Sequence, residues 1–314
     1  MAQLNSPDRM MAALRQYEIK GLKDSMETCG PKIHGETVDN VAGIYAGVRD
    51  SALTVHGNLQ AERLGKYLVD RGLKFAYIFS SDLQRAFKTA GAIHKAEEAK
   101  QPDQEHGRNA VTQLEILREQ DFGYYEGKPF YARPRDNKRS GKEEHRTQHQ
   151  QYPDFKDVET KESMSARMNT FVQDYLIPVL QTEEEEEEYT VAVVSHGIIL
   201  SHLWRCFLGA FAPNSVSLAP GLPMGRDGPT PLEYLGGWSN TGYLELEVTR
   251  NANDSNVSPA QESSSTLLAG HKMNIKAVNG KEHLAGLKRT RGVGSSQHDE
   301  GQKNIDAFFK KRKA

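Results

Sequence analysis

The sequence predicts an α/β fold, a three-layer sandwich with a mostly parallel central sheet and helices on both faces. Short apolar runs typical of buried strands alternate along the chain with longer segments whose apolar residues recur at helical spacing. One histidine–glycine pair, at 196–197, directly follows such a run and precedes a helical segment, as expected at the carboxyl end of a parallel strand. The sequence shows no internal repeat.

Apolar residues at helical spacing predict the helices, and short β-rich runs predict the strands. The helix expected to start near Ser163 carries Met, Phe, Tyr and Val along one face, which indicates a buried face. In chain order, the expected elements are helix 59–69, strand 75–79, helix 85–94, helix 164–179, strand 189–194, helix 198–208 and a last strand at 242–248.

Composition narrows the class of protein. The formal net charge of the 314 residues is −2, so no direct contact with nucleic acid is expected from bulk electrostatics. The two cysteines, Cys29 and Cys206, are too few for a disulfide scaffold and fit a reducing compartment. No apolar stretch reaches the roughly 20 residues that a membrane-spanning helix needs. We therefore expect a soluble intracellular protein that is not bound to a membrane.

Changes in composition predict four segments. Residues 34–250 form the expected domain, and residues 251–301 lack Phe, Trp and Tyr, so we expect a disordered linker there. Residues 302–314 form a terminal motif with a basic end. Residues 1–33 are atypical, because Gly30-Pro31 interrupts the place where a buried first strand should precede the domain.

Four short motifs carry the chemistry. They are His34-Gly35-Glu36-Thr37, Ser81-Asp82-Leu83-Gln84-Arg85-Ala86, Leu117-Arg118-Glu119 and Ser195-His196-Gly197. The order of these motifs and the residues in them resemble the motifs of the histidine phosphatase superfamily, also called phosphoglycerate mutase-like. The resemblance extends over about 34–250.

The resemblance implies a reaction through a phosphohistidine, with no metal and no cofactor, on a small phosphorylated substrate. His34 would be the nucleophile, and Glu119 would be the proton donor and then the base for water. His196 would stabilise the transferring oxygens. The phosphate-binding groups implied are Arg85, Asn40 and the Gly197 amide at a helix start.

One position departs from the family pattern. The family places Arg directly before the first histidine, whereas this sequence has Ile33, which offers neither charge nor hydrogen bond. Losing one preorganised donor typically lowers the rate about 10²–10³-fold. Either the protein is a weakened or inactive phosphatase, or residues 1–33 come from a wrong start or exon choice, a gene-model artefact. The strand-breaking pair Gly30-Pro31 stands before an otherwise intact His34 motif, and this favours the second interpretation.

The end of the chain resembles a PCNA-interacting peptide. Gln302, Ile305, Phe308 and Phe309 have the spacing by which such a peptide places one glutamine, one aliphatic and two aromatic side chains on the sliding clamp. A terminal turn that docks on its own domain is the alternative. The basic run 310–313, together with 288–291, is also typical of a nuclear localisation signal, so we expect the protein in the nucleus and the cytoplasm.

Two functions from different classes follow. The first is phosphomonoester hydrolysis through phospho-His34, with a tail that tethers the enzyme to the replication and repair clamp. The second is a catalytically impaired domain of the same fold that acts as a nuclear interaction module through its tail.

Overall fold

A seven-stranded sheet forms the centre of the protein. The computed structural model describes residues 26–100, 110–130, 155–181, 189–222, 232–235, 238–250 and 266–289, with side chains described from residue 33 onward. The strands are β1 Met26–Ile33, β2 Phe75–Ser81, β3 Val111–Leu114, β4 Thr190–Ser195, β5 Val216–Leu218, β6 Tyr243–Arg250 and β7 His271–Gly280.

The strand order is β3-β2-β4-β1-β6-β7-β5. The first four strands in this order pair in parallel, and so do β5 and β7. Strand β6 runs antiparallel to both of its neighbours, β1 and β7. The expected mostly parallel sheet is therefore confirmed, and the carboxyl ends of β1, β2 and β4 lie side by side at one edge.

Helices pack on both faces of this sheet. They are α1 Val38–Ala42, α2 Val55–Asp70, α3 Gln84–Lys100, α4 Lys161–Phe171, α5 Ile177–Leu180 and α6 Gly197–Leu208. A π-helical turn, Val172–Leu176, joins α4 to α5. The helices α4, α5 and α6 contribute to one core cluster, and α2 and α3 contribute to the other.

Strand β4 shows how the sequence produces the three layers. Successive side chains of a strand point to opposite faces of the sheet. Val191 and Val193 lie in the core shared with α4 to α6, whereas Ala192 and Val194 lie in the core shared with α2 and α3. All four are buried, and burying each valine stabilises the fold by about 1.5–3 kcal/mol.

Helix α4 begins slightly earlier than its apolar residues predict. Thr160, not Ser163, is the N-cap residue, because its side chain accepts a hydrogen bond from the Ser163 amide. The threonine hydroxyl satisfies an amide that the helix itself leaves without a partner. The expected start near Ser163 is corrected by three residues.

The segment before His34 does form a strand of the sheet. Strand β1 lies between β4 and β6, and its register shifts between Cys29 and Lys32, at the Gly-Pro pair. A proline cannot donate to a ladder, so the irregular register lets the strand continue past it. The expectation that residues 1–33 lack a first strand is therefore corrected.

The domain does not end at residue 250. Strand β7 pairs along the whole of β6 and buries Met273 and Ile275 in the core, inside the segment 251–301 that composition marks as a disordered linker. The described part of the domain continues to residue 289, through a 3-10 turn that buries His283. Alternating apolar residues without an aromatic side chain are enough to form this strand, since β6 supplies the hydrogen bonds.

Candidate functional site

The His34 turn is fixed at the carboxyl end of β1. The His34 amide donates to the Ser195 carbonyl at 3.2 Å, and the Thr241 amide donates to the Ile33 carbonyl at 3.1 Å. A Cβ atom on Gly35 would lie 2.3 Å from the Gly57 carbonyl oxygen, so only glycine fits there. These contacts place the His34 side chain next to the end of β4, where His196 follows.

The hydrogen bonds of His34 determine which of its ring nitrogens carries the proton. Its Nδ1 lies 2.7 Å from the Gly35 carbonyl oxygen, which can only accept, so Nδ1 is the donor. Burial, and then the positive charge of Arg85, lower the pKa of His34 to about 3, against the opposing effect of the Gly35 carbonyl. The neutral ring therefore keeps a free lone pair on Nε2, as a nucleophile requires.

His196 is held in the opposite tautomer. The Arg85 Nε–H donates to His196 Nδ1 at 3.1 Å, and since a guanidinium can only donate, the proton of the neutral ring is on Nε2. Burial, and then Arg85 and His34, lower the pKa of His196 well below its usual value. Its Nε2 is buried and has no partner in the described part of the chain, and the His34 and His196 ring centroids are 5.0 Å apart.

Arg85 is buried in a cradle of carbonyl oxygens. Its Nη1 donates to the Arg49 carbonyl at 2.8 Å, and its Nη2 donates to the carbonyls of Ala46 and Gly47 at 3.1 and 2.7 Å. Burial lowers the pKa of Arg85, against the nearby negative charge of Glu119. With two carbonyl-bound nitrogens and one His196-bound nitrogen, the guanidinium has one orientation.

Glu126 holds the loop that forms this cradle. Its carboxylate accepts hydrogen bonds from the amides of Gly47, Val48, Arg49 and Phe122, at 2.9 to 3.2 Å. The loop thus presents its carbonyls to Arg85 and its amides to Glu126. A Cβ on Gly47 would lie 1.9 Å from a backbone oxygen, so the loop can pass there only with glycine.

The Glu119 carboxyl lies at the start of α6, directly after His196. It accepts hydrogen bonds from the amides of Gln120, Ile198 and Ile199 at 2.9 to 3.0 Å. Burial raises the pKa of Glu119, although the three amides and Arg85 act to lower it. A carboxyl group that stays protonated to higher pH is suited to donate a proton.

Arg167 on α4 fixes the backbone on either side of Glu119. Its guanidinium donates to the carbonyls of Ile116, Arg118 and Glu119 and pairs with the Glu159 carboxylate at 2.9 Å. A charged side chain on the otherwise apolar face of α4 is a sequence signal of such a partly buried pair, yet the motifs alone do not identify it. The same holds for Glu126, which sequence reasoning also missed.

Ile33 is buried in an apolar part of the core. Its side chain is 7 % exposed and belongs to the apolar core on the α6 side, where its Cδ1 would lie 3.5 Å from a Cβ on Gly197. The position that carries Arg in the family pattern is therefore filled by an apolar contact with the start of α6. It supplies no donor to the site.

Asn40 is exposed on α1 and closes a capping box. Its side chain accepts from the Thr37 amide, and the Asn40 amide donates to the Thr37 hydroxyl. Asn240 reaches both Asn40 Oδ1 and the His34 carbonyl, at 3.4 and 3.3 Å. Asn40 is thus beside the His34 turn.

The expected partner-binding residues lie outside the described part of the chain, namely Gln302, Ile305, Phe308 and Phe309.

A cavity of about 310 Å³ opens next to the Glu119 carboxyl. Its lining residues come from the first turns of α6, from the Glu119 segment and from Trp238. They are Glu119, Gly197, Ile198, Ser201, His202, Arg205 and Trp238.

Within the described residues, no group of three or more His, Cys, Asp or Glu side chains could hold a metal ion. The described helices are all too short or too polar to cross a membrane.

Comparison with known proteins identifies the family. Residues 34–219 match the histidine phosphatase superfamily (branch 1). The chain belongs to this superfamily. It is 31 % identical over 297 residues to a protein of Schizosaccharomyces pombe named as a probable phosphatase, across 92 % of this chain and 82 % of that protein.

Other known proteins are similar over a shorter stretch of sequence or in fold alone. The 2,3-bisphosphoglycerate-dependent phosphoglycerate mutase of Bartonella bacilliformis is 37 % identical over 94 residues, which make up 30 % of this chain and 42 % of the mutase. The solved structure of a protein called mycobacterial hydrolase 1 superposes with a TM-score of 0.54 at 20 % identity, across 82 % of this chain and all of that chain. The solved structure of phosphoglycerate mutase from Bacillus anthracis superposes with a TM-score of 0.51 at 17 % identity, across 83 % of this chain and 96 % of that chain, and it supports the phosphoglycerate mutase-like fold.

Proposed function

We propose that this member of the histidine phosphatase superfamily hydrolyses phosphomonoesters through a phosphohistidine at His34. One observation carries the proposal, namely the complementary tautomers of two buried histidines. His34 presents a lone pair on Nε2, and His196 presents a proton on its partnerless Nε2. A phosphoryl group between the two rings would meet a nucleophile on one side and a donor on the other.

In the first step, the Nε2 lone pair of His34 forms a bond to phosphorus as the bond from phosphorus to the ester oxygen breaks. The Glu119 carboxyl donates its proton to the departing oxygen, so the product leaves as an alcohol. His196 Nε2–H donates to a non-bridging oxygen of the phosphoryl group. Arg85 contributes its positive charge and holds His196 in the donating tautomer.

In the second step, water attacks the phosphorus of phospho-His34. The Glu119 carboxylate takes a proton from that water, the phosphorus–nitrogen bond breaks, and inorganic phosphate leaves with the lone pair restored on His34. The cavity beside Glu119 has room for several water molecules, since a water occupies about 30 Å³ of liquid. Ready access of water favours hydrolysis over transfer to a second alcohol.

Ile33 sets the expected rate. A guanidinium at this position would share the charge of the phosphoryl group, and its loss lowers the rate about 10²–10³-fold. The remaining groups, His34, His196, Arg85 and Glu119, still form the reaction geometry. We therefore propose slow but measurable hydrolysis of aryl phosphates by this sequence, without added metal.

The test is capture of the intermediate. The protein is mixed with a ³²P-labelled aryl phosphate, quenched in alkali and assayed for acid-labile label, alongside the release of inorganic phosphate. We expect label on the wild type and on His94→Ala, a histidine in the second half of α3, and none on His34→Ala. Turnover that survives in His34→Ala would contradict the mechanism. A wild type and an Ile33→Arg variant that are both inert would favour the impaired interaction module instead.

We also propose that the tail binds PCNA and localises the protein to the nucleus. The support is the sequence match of Gln302, Ile305, Phe308 and Phe309 together with the basic residues that follow.

A further inference from the structure

The cavity next to Glu119 extends along one face of α6. Its α6 residues are Gly197, Ile198, Ser201, His202 and Arg205, whose spacing puts them on the same side of the helix. Glu119 lies at the start of this face, and Arg205 lies about two turns further on. Since each residue rises about 1.5 Å, the seven steps from Ile198 to Arg205 span about 10 Å.

In the proposed reaction, the leaving alcohol must lie on the side of the phosphoryl group that Glu119 reaches. Glu119 lines this cavity, so the cavity is where the alcohol part of the substrate lies. The inference therefore rests on the proposed function for its orientation. We call the space lined by these residues the leaving-group cavity: Glu119, Gly197, Ile198, Ser201, His202, Arg205 and Trp238.

The indole of Trp238 forms part of the wall of this cavity. Its indole N–H donates to the Ser201 hydroxyl at 3.1 Å, and that hydroxyl donates to the Gly197 carbonyl at 3.0 Å. The ring is thereby tied to the first turn of α6. A fixed indole face favours a planar, apolar group packed against it.

Arg205 gives the far end of the cavity a positive charge. Among the seven lining residues, it is the only one that is always charged at neutral pH. His202 is buried, its Nδ1 lies 3.0 Å from the Ser165 hydroxyl, and burial lowers its pKa, so its ring stays neutral. The exposed Arg205 guanidinium forms no ion pair with the described residues. A guanidinium offers a fork of donors that matches a carboxylate or a phosphate.

We propose that the leaving-group cavity selects phosphomonoesters whose alcohol part is planar near the phosphate and carries a second anionic group at its far end. Trp238 packs against the planar part, and Arg205 binds the anion. Arg205 is thus a specificity-determining residue that touches the substrate but takes no part in the bond changes.

The experiment compares two substrates that differ only in that charge. One is 3-(4-phosphonooxyphenyl)propanoate, and the other is its uncharged carboxamide. We expect the wild type to favour the acid about five- to tenfold in kcat/KM, mainly through KM, because Arg205 is partly screened by solvent. Arg205→Gln should bring the ratio of acid to amide to about 1, and Arg205→Lys should keep part of it.

Two controls separate this effect from other causes. Lys66→Gln removes an exposed positive charge on α2 and should keep the wild-type ratio, which excludes an effect of overall charge. Trp238→Leu should raise KM for both aryl substrates while leaving the ratio of acid to amide unchanged. A ratio near 1 in the wild type, or a preference that survives in Arg205→Gln, would overturn the inference even if both substrates are hydrolysed.

Measurements of binding test the inference even if the protein hydrolyses neither substrate. The affinities of the His34→Ala protein for the acid and the amide are measured by calorimetry, with and without Arg205→Gln. A five- to tenfold preference for the acid that disappears with Arg205→Gln supports the inference, even if the wild type hydrolyses neither compound and the proposed function fails. Equal affinities, or no binding of either compound, would overturn it.

Discussion

Replacing Glu119 by Gln tests the role of this residue as proton donor. The cost of the change in folding stability follows from the hydrogen bonds of the carboxyl group. The carboxyl accepts three amide hydrogen bonds, from Gln120, Ile198 and Ile199. A glutamine keeps one accepting oxygen, but its NH₂ group must face an amide donor where the second oxygen was. That loss costs about 1–3 kcal/mol of folding stability, which the domain can tolerate.

The effect on turnover depends on the leaving group. An alkyl alcohol leaves poorly as an anion, so loss of the acid should slow hydrolysis of an alkyl phosphate about 10²–10⁴-fold. A p-nitrophenolate leaves without protonation, so p-nitrophenyl phosphate should slow less than about tenfold. Inhibition by inorganic phosphate should change little, because Glu119 acts on the departing oxygen rather than on the phosphoryl group.

The pH profile gives a second readout. Burial raises the pKa of Glu119, so its acid form persists to higher pH, and the rate with an alkyl phosphate should fall as pH rises through that pKa. The pKa of His34 is about 3, so its nucleophilic form is present above that pH. The optimum should therefore lie on the acidic side of neutral, and Glu119→Gln should remove the fall at high pH.

The assay is steady-state kinetics on both esters between pH 3 and pH 9. Glu115→Gln, an exposed carboxylate four residues earlier, is the matched control and should behave as the wild type. Equal slowing of both esters, or a high-pH fall that persists in Glu119→Gln, would refute the assignment of the acid.

Four other predictions follow from the structure. Ile33→Arg should raise kcat/KM for an aryl phosphate about 10²-fold and lower Tm, since it places a charge in an apolar core position; an unchanged rate would show that the position contributes no donor. Glu126→Gln should lower kcat/KM about tenfold to a hundredfold and weaken inhibition by phosphate, because the loop around Arg85 loses charge-assisted hydrogen bonds. A chain truncated after residue 250 should aggregate through the uncovered β6 edge, whereas one truncated after 289 should remain folded by circular dichroism. A peptide of residues 300–314 should bind PCNA with micromolar or better affinity, about −8 kcal/mol, and lose binding in Phe308→Ala with Phe309→Ala; calorimetry without heat at high micromolar peptide would contradict it.

Apolar patterns in the sequence located several of the helices and strands. Helices α2, α3 and α6 lie where helical spacing predicts them, because burial of one face sets the period, and strands β2 and β4 lie where short apolar runs predict them. The patterns failed at β1 and β7, whose places in the sheet depend on their partner strands. Strand β1 is not recognisable in the sequence because it contains a Gly-Pro pair. Strand β7 is not recognisable because its segment has no aromatic residues, although Met273 and Ile275 alternate toward the core.

The sequence by itself determined the family resemblance, the fold class and the four chemical groups His34, Arg85, Glu119 and His196. Only the tertiary structure decided how those groups are protonated and held. Arg85 and His196 are 111 residues apart, and Glu126 and Gly47 are 79 apart, so no local pattern shows that one orients the other. A tautomer or a shifted pKa is set by burial and by the nearest hydrogen-bond partners, and these exist only once the chain has folded.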